Sequence, residues 1–200
     1  MGIVSSLDSV RERMERAARG VGRDPDDVTL VAVTKTVGTH EMETAIAHGV
    51  AVVGENRVEI ALEKYGRLEA RAEWHMIGHL QRRKVRDAVR IFDWIHSVDS
   101  IALAKEIDKR CAAIGKVMPA LIEVNVSGEE SKYGLLPNEI EEALRAASVL
   151  DNIRVEGLMT MAPFFSKAEE TRPVFRGLRE LAKKTKALGI ENVSMKHLSM

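Results

Sequence analysis

The sequence predicts an α/β protein, a (β/α)8 (TIM) barrel that lacks its eighth unit. Apolar strand-like segments alternate with helical segments seven times along the 200 residues, after an initial helix, and this alternation is typical of a parallel sheet. No G-x-G-x-x-G motif follows any strand, which argues against the alternative, a doubly wound open sheet. No linker or change in composition divides the series, so we expect residues 1–200 to form a single domain.

The first strand carries the residue that matters most for function. A helical pattern of apolar residues ends near Gly20, and a turn at 24–26 follows. A strand is predicted at 28–35, because the apolar run at 30–33 does not alternate, as in a strand buried on both faces. Lys35 then lies at the carboxyl end of this strand, where α/β proteins carry their reacting groups.

The later elements follow from the same two patterns. Thr39 and Ser100 suit the N-caps of their helices, and Pro137 suits the first turn of another. Several helices end at a glycine. The further strands are predicted at 50–54, 73–77, 94–98, 120–126, 155–161 and 193–200, and the helices between them at 39–49, 58–68, 81–89, 101–114, 137–150 and 169–188.

Charge and cysteine content restrict the partners and the compartment. Lys and Arg together number 30, as do Asp and Glu, so we expect neither nucleic acid nor an anionic membrane as a partner. The basic cluster at 82–86 is interpreted as a solvated helix face. Cys111 is the single cysteine, so no disulfide forms within the chain and we expect a cytoplasmic, reducing location. No apolar run reaches membrane-spanning length.

Polar and sulfur-containing side chains follow the predicted strands at their carboxyl ends, which in a barrel meet at one mouth. They are Lys35, Asn56, His75, Asn125 or Ser127, Met159 to Met161, and Ser199. No carboxylate pair stands out among them, which argues against a two-carboxylate mechanism. His75 and His79 do not share a helical face and no zinc motif is present, so we expect no metal site.

A lysine at a barrel mouth serves as a general base, or as a nucleophile that forms an imine with a carbonyl group. The imine requires the neutral amine, which burial of a lysine favours. The carbonyl partner is either a sugar-like substrate, as in aldolases, or the aldehyde of pyridoxal phosphate. A barrel supplies a phosphate site from the loops after strands seven and eight, which suits either ligand.

Six short motifs in the sequence resemble those of a known protein family. They are AVTK at 32–35, GEN at 54–56, WHMIGHLQ at 74–81, SGEESKYGL at 127–135, GLM at 157–159 and LSM at 198–200. Together they resemble the pyridoxal phosphate homeostasis protein family, small barrel proteins similar to the N-terminal domain of alanine racemase, over about residues 28–200. The resemblance implies that Lys35 holds pyridoxal phosphate as an internal aldimine. It also implies a cofactor-binding role for Asn56, His75, Met159 and Ser199.

The resemblance further implies a carrier or buffer of the cofactor in the cytoplasm, with PLP-dependent apoenzymes as candidate partners and no established catalysis. The alternatives are a PLP-dependent amino-acid racemase or decarboxylase and a Schiff-base aldolase without cofactor. A racemase needs a base on each face of the cofactor. Tyr65 and Tyr133 are predicted in a helix and a loop, and Cys111 lies in mid-helix, which favours the carrier.

The sequence departs from the family pattern at its end. In the family the LSM motif continues into further segments that supply strand eight and most of the phosphate contacts, and this sequence ends at Met200, before them. We therefore expect strands one and seven to expose unpaired edges. We also expect the 200-residue chain to self-associate and to bind the cofactor more weakly than a longer one.

Overall fold

The computed structural model describes residues 2–129 and 131–200, with only the backbone of Ala70. Glu130, which falls inside the motif at 127–135, lies outside the described residues. The chain divides into two compact units, the first ending at His75 and the second running over Met76–Met200.

The first unit alternates helices and strands as the sequence predicts. Its helical segments include short 3-10 turns at Pro25–Asp27 and Glu69–Arg71. Its elements are α1 (Ile3–Arg19), β1 (Val31–Val33), α2 (Thr39–Ala47), β2 (Val52–Glu55), α3 (Val58–Leu68) and, reaching the first residue of the next unit, β3 (Glu73–Met76).

The second unit repeats the pattern four times. Its elements are α4 (Val85–Ile91), β4 (Trp94–Val98), α5 (Ile101–Ala112), β5 (Met118–Glu123), α6 (Ile140–Ala147), β6 (Ile153–Met159), α7 (Arg172–Lys186) and β7 (Val193–Ser199). The strand β5 is central, pairing in parallel with β4 and β6. Its Met118, Ala120 and Ile122 are almost wholly buried, as expected of a parallel strand that is covered on both faces.

The strands form one sheet in which the order follows the sequence from β1 to β7. Successive barrel strands have this order, whereas the order reverses at a switch point in a doubly wound sheet. The predicted α/β class and strand succession are therefore confirmed. None of the described helices has the length and apolar character needed to cross a membrane.

The strand β1 differs from its prediction in length and in burial. It spans three residues, and Val33 is 52% exposed while Val31 and Ala32 are only half-buried. The prediction of a strand buried on both faces was wrong. β1 comes first in the strand order and, among the described strands, pairs with β2 alone. An apolar run in the sequence does not reveal which strand lies at the edge.

One predicted helix cap and two predicted helix starts also differ in the structure. Thr39 is already helical, and Gly38 precedes it with its N–H bonded to the Glu41 carboxylate at 3.2 Å. Residues 137–139 form a turn closed by the Leu136 N–H on the Glu139 carboxylate at 2.7 Å, so α6 begins only at Ile140. The basic segment begins as a 3-10 turn, Arg82–Lys84, before α4. The Ser100 cap is confirmed, since its Oγ accepts from Leu103 N–H.

Candidate functional site

In the first unit, a buried ion pair holds the ends of β1 and β2 against α3. Lys64 Nζ lies 2.7 Å from both Glu55 Oε1 and the Thr34 carbonyl oxygen. The Thr34 hydroxyl also donates to Glu55 Oε1 at 2.7 Å. Lys64 and Glu55 are both buried, and these hydrogen bonds offset the cost of taking two charges out of water. The backbone immediately before Lys35 is thereby fixed.

Lys35 and Asn56 follow directly on Thr34 and Glu55. Glu55 contacts Lys64 of α3, and Lys35 and Asn56 lie in the turn and the bend that follow the two strands. The register pairs Val33 with Gly54, so these two positions end neighbouring strands at the same level. Lys35 is exposed in a turn, so the burial expected for it is not found. The buried Asn56 Oδ1 accepts no hydrogen bond from the described residues.

His75 lies on the face of the sheet opposite α3. Its neighbour Trp74 is fully buried and meets the Tyr65 ring of α3 edge-on, with centroids 5.4 Å apart. Alternation along β3 therefore places His75 on the face opposite α3. Its Nε2 is 3.2 Å from Glu73 Oε1 on that same face. The first unit thus places Lys35 and Asn56 at the carboxyl ends of paired strands and His75 on the face of β3 opposite α3.

In the second unit, Met159 and Ser199 are register partners at the ends of β6 and β7, and Glu123 of β5 pairs with Met159 in turn. Side chains of paired residues on adjacent parallel strands point to the same face. These three residues, the Glu123–Met159–Ser199 row, therefore line one face of this part of the sheet, with the thioether between a carboxyl and a hydroxyl.

The row faces the interior of the curved sheet of the second unit. Ser199 Oγ is 3.0 Å from His96 Nδ1 of β4, and the His197 ring meets Trp94 of β4 edge-on at 5.3 Å. Contact between β4 and β7, which are three places apart in the strand order, requires the sheet to curve toward this face. His96 is a site residue that the sequence reading missed, because nothing in its own strand singles it out.

Glu123 is the second missed residue. It is only 6% exposed, and its Oε2 has no hydrogen-bond partner among the described residues. Burial, with a smaller contribution from the charge of Asp99, raises the pKa of the Glu123 carboxyl to about 7. The sequence does carry a signal for this residue, since Glu123 is a charged residue inside the apolar strand predicted at 120–126, near its carboxyl end.

The polar side chains in the loop after β5 form hydrogen bonds within that loop. The Asn125 amide nitrogen donates to the Glu129 carbonyl at 2.8 Å, and its Oδ1 accepts from Ser127 Oγ and Gly128 N–H. These bonds occupy both ends of the Asn125 side chain, so neither Asn125 nor Ser127 is assigned to the site. Gly134 returns the loop to the strand: its φ of +108° and its approach to the Asn125 nitrogen leave no room for a Cβ.

His79 and Tyr133 form a separate contact at the surface. His79 Nδ1 lies 2.9 Å from Asp99 Oδ2, and the Tyr133 ring stacks on His79 with centroids 3.9 Å apart. His79 therefore pairs with a carboxylate. Within residues 2–129 and 131–200, no group of three His, Cys, Asp or Glu side chains could hold a metal ion.

Comparison with known proteins identifies the fold class of this protein. Residues 5–200 match the sequence profile of the family described as "Alanine racemase, N-terminal domain". A solved structure of an unknown protein from Bifidobacterium adolescentis superposes with a TM-score of 0.93 at 33% identity, covering 99% of this chain and 85% of that one. The predicted fold class, a barrel of the alanine racemase N-terminal type, is confirmed.

Two further relatives define the family. The pyridoxal phosphate homeostasis protein of Aquifex aeolicus is 39% identical over 201 residues, covering 100% of this chain and 87% of the relative. PipY of Synechococcus elongatus, solved with PLP bound, has a TM-score of 0.80 at 33% identity and covers 94% of this chain and 87% of its own. The chain belongs to the pyridoxal phosphate homeostasis protein family.

Proposed function

We propose that this protein binds pyridoxal phosphate as a Schiff base on Lys35 and acts as a carrier or buffer in intracellular PLP homeostasis, without catalysis of its own. The observation that supports it most is the exposed Lys35 side chain, level with Asn56 at the ends of paired strands, in a chain one-third identical to a PLP-bound structure. Residues 1–200 would then form one cofactor-binding barrel domain.

The chemistry of the described residues fits this cofactor, which supplies an aldehyde. The Lys35 nitrogen adds to the aldehyde carbon, and the carbonyl oxygen leaves as water. The orphaned Asn56 Oδ1 is a buried acceptor that a ligand donor would satisfy. The Ser199 hydroxyl ends strand seven, where barrels bind phosphate. Met159 offers a polarizable contact for an aromatic ring, and His75 a polar group at the edge of the site.

Three observations favour a carrier over the alternative, a PLP-dependent racemase or decarboxylase. A racemase needs a second acid or base. Burial raises the pKa of the Cys111 thiol to about 11, so it remains protonated within α5. Tyr65 is packed against Trp74, and Tyr133 is stacked on His79. The natural recipients of a carried cofactor are PLP-dependent apoenzymes, and the unpaired Cys111 is consistent with a cytoplasmic location.

A spectroscopic titration tests the proposal. Pyridoxal phosphate added to the purified protein is expected to give a saturable yellow absorption that borohydride removes, with one cofactor per chain. Amino acids added to the loaded protein are then expected to be neither racemised nor decarboxylated. Absence of a saturable band would refute cofactor binding, and turnover at about 1 s⁻¹ or faster would establish the enzyme instead.

The His96–Ser199 contact gives a prediction within this site. A phosphate oxygen only accepts hydrogen bonds, so Ser199 must donate its proton to it, and His96 Nδ1 must then supply an N–H to the Ser199 oxygen. We expect Ser199→Ala and His96→Leu each to weaken PLP binding about tenfold, and the double variant to lose little more than either one.

The exposed His48 provides the matched control, and His48→Leu is expected to bind like wild type. A double variant whose loss equals the sum of the two single losses, in free energy, would contradict the coupling. His96→Asn, which retains a donor near the position of Nδ1, is expected to recover part of the affinity.

A further inference from the structure

One polar group on the interior face of the second unit has no role in the proposed function. Glu123 ends β5 in register with Met159, and Met159 is in register with Ser199. The Glu123 residue is 6% exposed and its Oε2 bonds to none of the described residues. A buried carboxyl oxygen without a partner is costly, so a ligand that completes its hydrogen bonds would be favoured at this position.

The Glu123–Met159–Ser199 row defines the place where a bound cofactor would lie. This inference rests on the proposed function. The aldehyde carbon of pyridoxal phosphate is flanked by the ring hydroxyl on one side and the phosphate-bearing arm on the other. If the arm lies toward Ser199 and the ring over Met159, the hydroxyl edge lies toward Glu123. Adjacent strands are roughly 4.8 Å apart, so the two polar ends of the row are about two strand spacings apart, which leaves room for one ring.

The protonation state of Glu123 decides whether this approach is attractive. An ionised carboxylate would repel an ionised ring hydroxyl, whereas a protonated carboxyl donates a hydrogen bond to it. Burial and the Asp99 charge raise the Glu123 pKa to about 7. Asp99 follows β4 and is itself paired with His79. The interior face also carries His96 of β4 and His197 of β7, while the facing end of β6 carries the uncharged Met159 and Thr160. The carboxyl therefore holds its proton up to near-neutral pH.

We propose that Glu123 is a cofactor-contacting residue, which donates a hydrogen bond from its protonated carboxyl group to the ring hydroxyl oxygen of pyridoxal phosphate. Within the second unit, Ser199 supplies the phosphate contact and Glu123 holds the hydroxyl edge of the ring. Because the contact requires the proton, cofactor affinity depends on the ionisation of this one side chain.

Two substitutions distinguish the effect of the Glu123 hydrogen bond on cofactor affinity from the effect of ionising its carboxyl group. Glu123→Gln keeps a donor that does not titrate, and Glu123→Leu removes the donor. Dissociation constants for pyridoxal phosphate are measured from about pH 6 to pH 8.5. At about pH 6, Glu123→Gln is expected to bind like wild type, and Glu123→Leu about tenfold more weakly. As the pH rises through about 7, the affinity of wild type for pyridoxal phosphate is expected to fall about tenfold relative to that of Glu123→Gln, because the Glu123 carboxyl ionises.

Glu156→Gln is the matched control. Glu156 is also a buried glutamate, on β6, but its carboxylate contacts Arg154 and Lys196. Its pH profile is expected to follow wild type. Changes that Lys35 and the phosphate undergo with pH are common to all variants and cancel in the ratio of wild type to Glu123→Gln.

Two results would overturn the inference: wild-type affinity in Glu123→Leu at about pH 6, or a constant ratio of wild type to Glu123→Gln across the pH range. If Glu123→Leu does not fold, the pH comparison with Glu123→Gln decides alone. Failure of the proposed function has a different signature, since wild type itself would then form no borohydride-stable adduct on Lys35, and the inference would fall with it.

Discussion

Lys35→Ala is expected to abolish the yellow absorption and the borohydride-stable adduct with pyridoxal phosphate. The reason is chemical: alanine has no amine, and a covalent bond is lost rather than weakened. Lys35 is exposed and follows β1, so its removal is expected to leave thermal unfolding almost unchanged. Lys35→Arg keeps the positive charge but forms no imine, and it is expected to behave like Lys35→Ala.

Lys132→Ala is the matched control for Lys35. Lys132 lies in the loop after β5, within the motif at 127–135, and its amine competes for the same aldehyde. It is expected to retain the absorption band. A band that persists in Lys35→Ala and disappears in Lys132→Ala would reassign the cofactor to Lys132.

Lys64→Met is expected to be the most destabilising single substitution near the site. It leaves Glu55 buried without its cation and removes the donor that Lys64 Nζ presents to the Thr34 carbonyl oxygen. Breaking a buried pair by removing one partner costs about 3–5 kcal/mol. We expect a fall of that size in the free energy of unfolding, measured by urea denaturation.

Two comparison variants make this result specific. Adding Glu55→Leu to Lys64→Met removes the buried Glu55 carboxylate that has lost its cation. The double variant is expected to recover part of the lost stability, because an apolar pair replaces a broken ionic one. Lys183→Met removes an exposed pair with Glu180 on α7 and is expected to change little. Equal effects of Lys64→Met and Lys183→Met would show that the buried pair does not support the ends of β1 and β2.

The sequence predicted those elements whose boundaries have local chemical causes. The predicted helix at 58–68 and the predicted strand at 94–98 coincide with α3 and β4. Ser100 caps α5 as expected, because a side-chain hydroxyl before a helical pattern has a strong local preference. The helix start at Pro137 and the cap at Thr39 were misplaced, because a neighbouring glutamate carboxylate accepts the hydrogen bond of each turn instead.

Other features depend on which elements become neighbours, and no local pattern encodes that. The exposure of Val33 depends on β1 being first in the strand order. The Lys64–Glu55 pair joins a strand end to a helix nine residues away, and the His96–Ser199 contact spans 103 residues. Lys35, Asn56, Met159 and Ser199 could be proposed from the rule that barrel sites lie at carboxyl strand ends, and their cofactor role stays a prediction.

Mapping the reduced adduct shows which residue carries pyridoxal phosphate. The wild-type protein is loaded with pyridoxal phosphate, treated with borohydride and digested, and the peptide that carries the added group is identified by mass spectrometry. We expect a single modified peptide with the group on Lys35. Modification mainly of Lys132, or spread over surface lysines at similar levels, would contradict it.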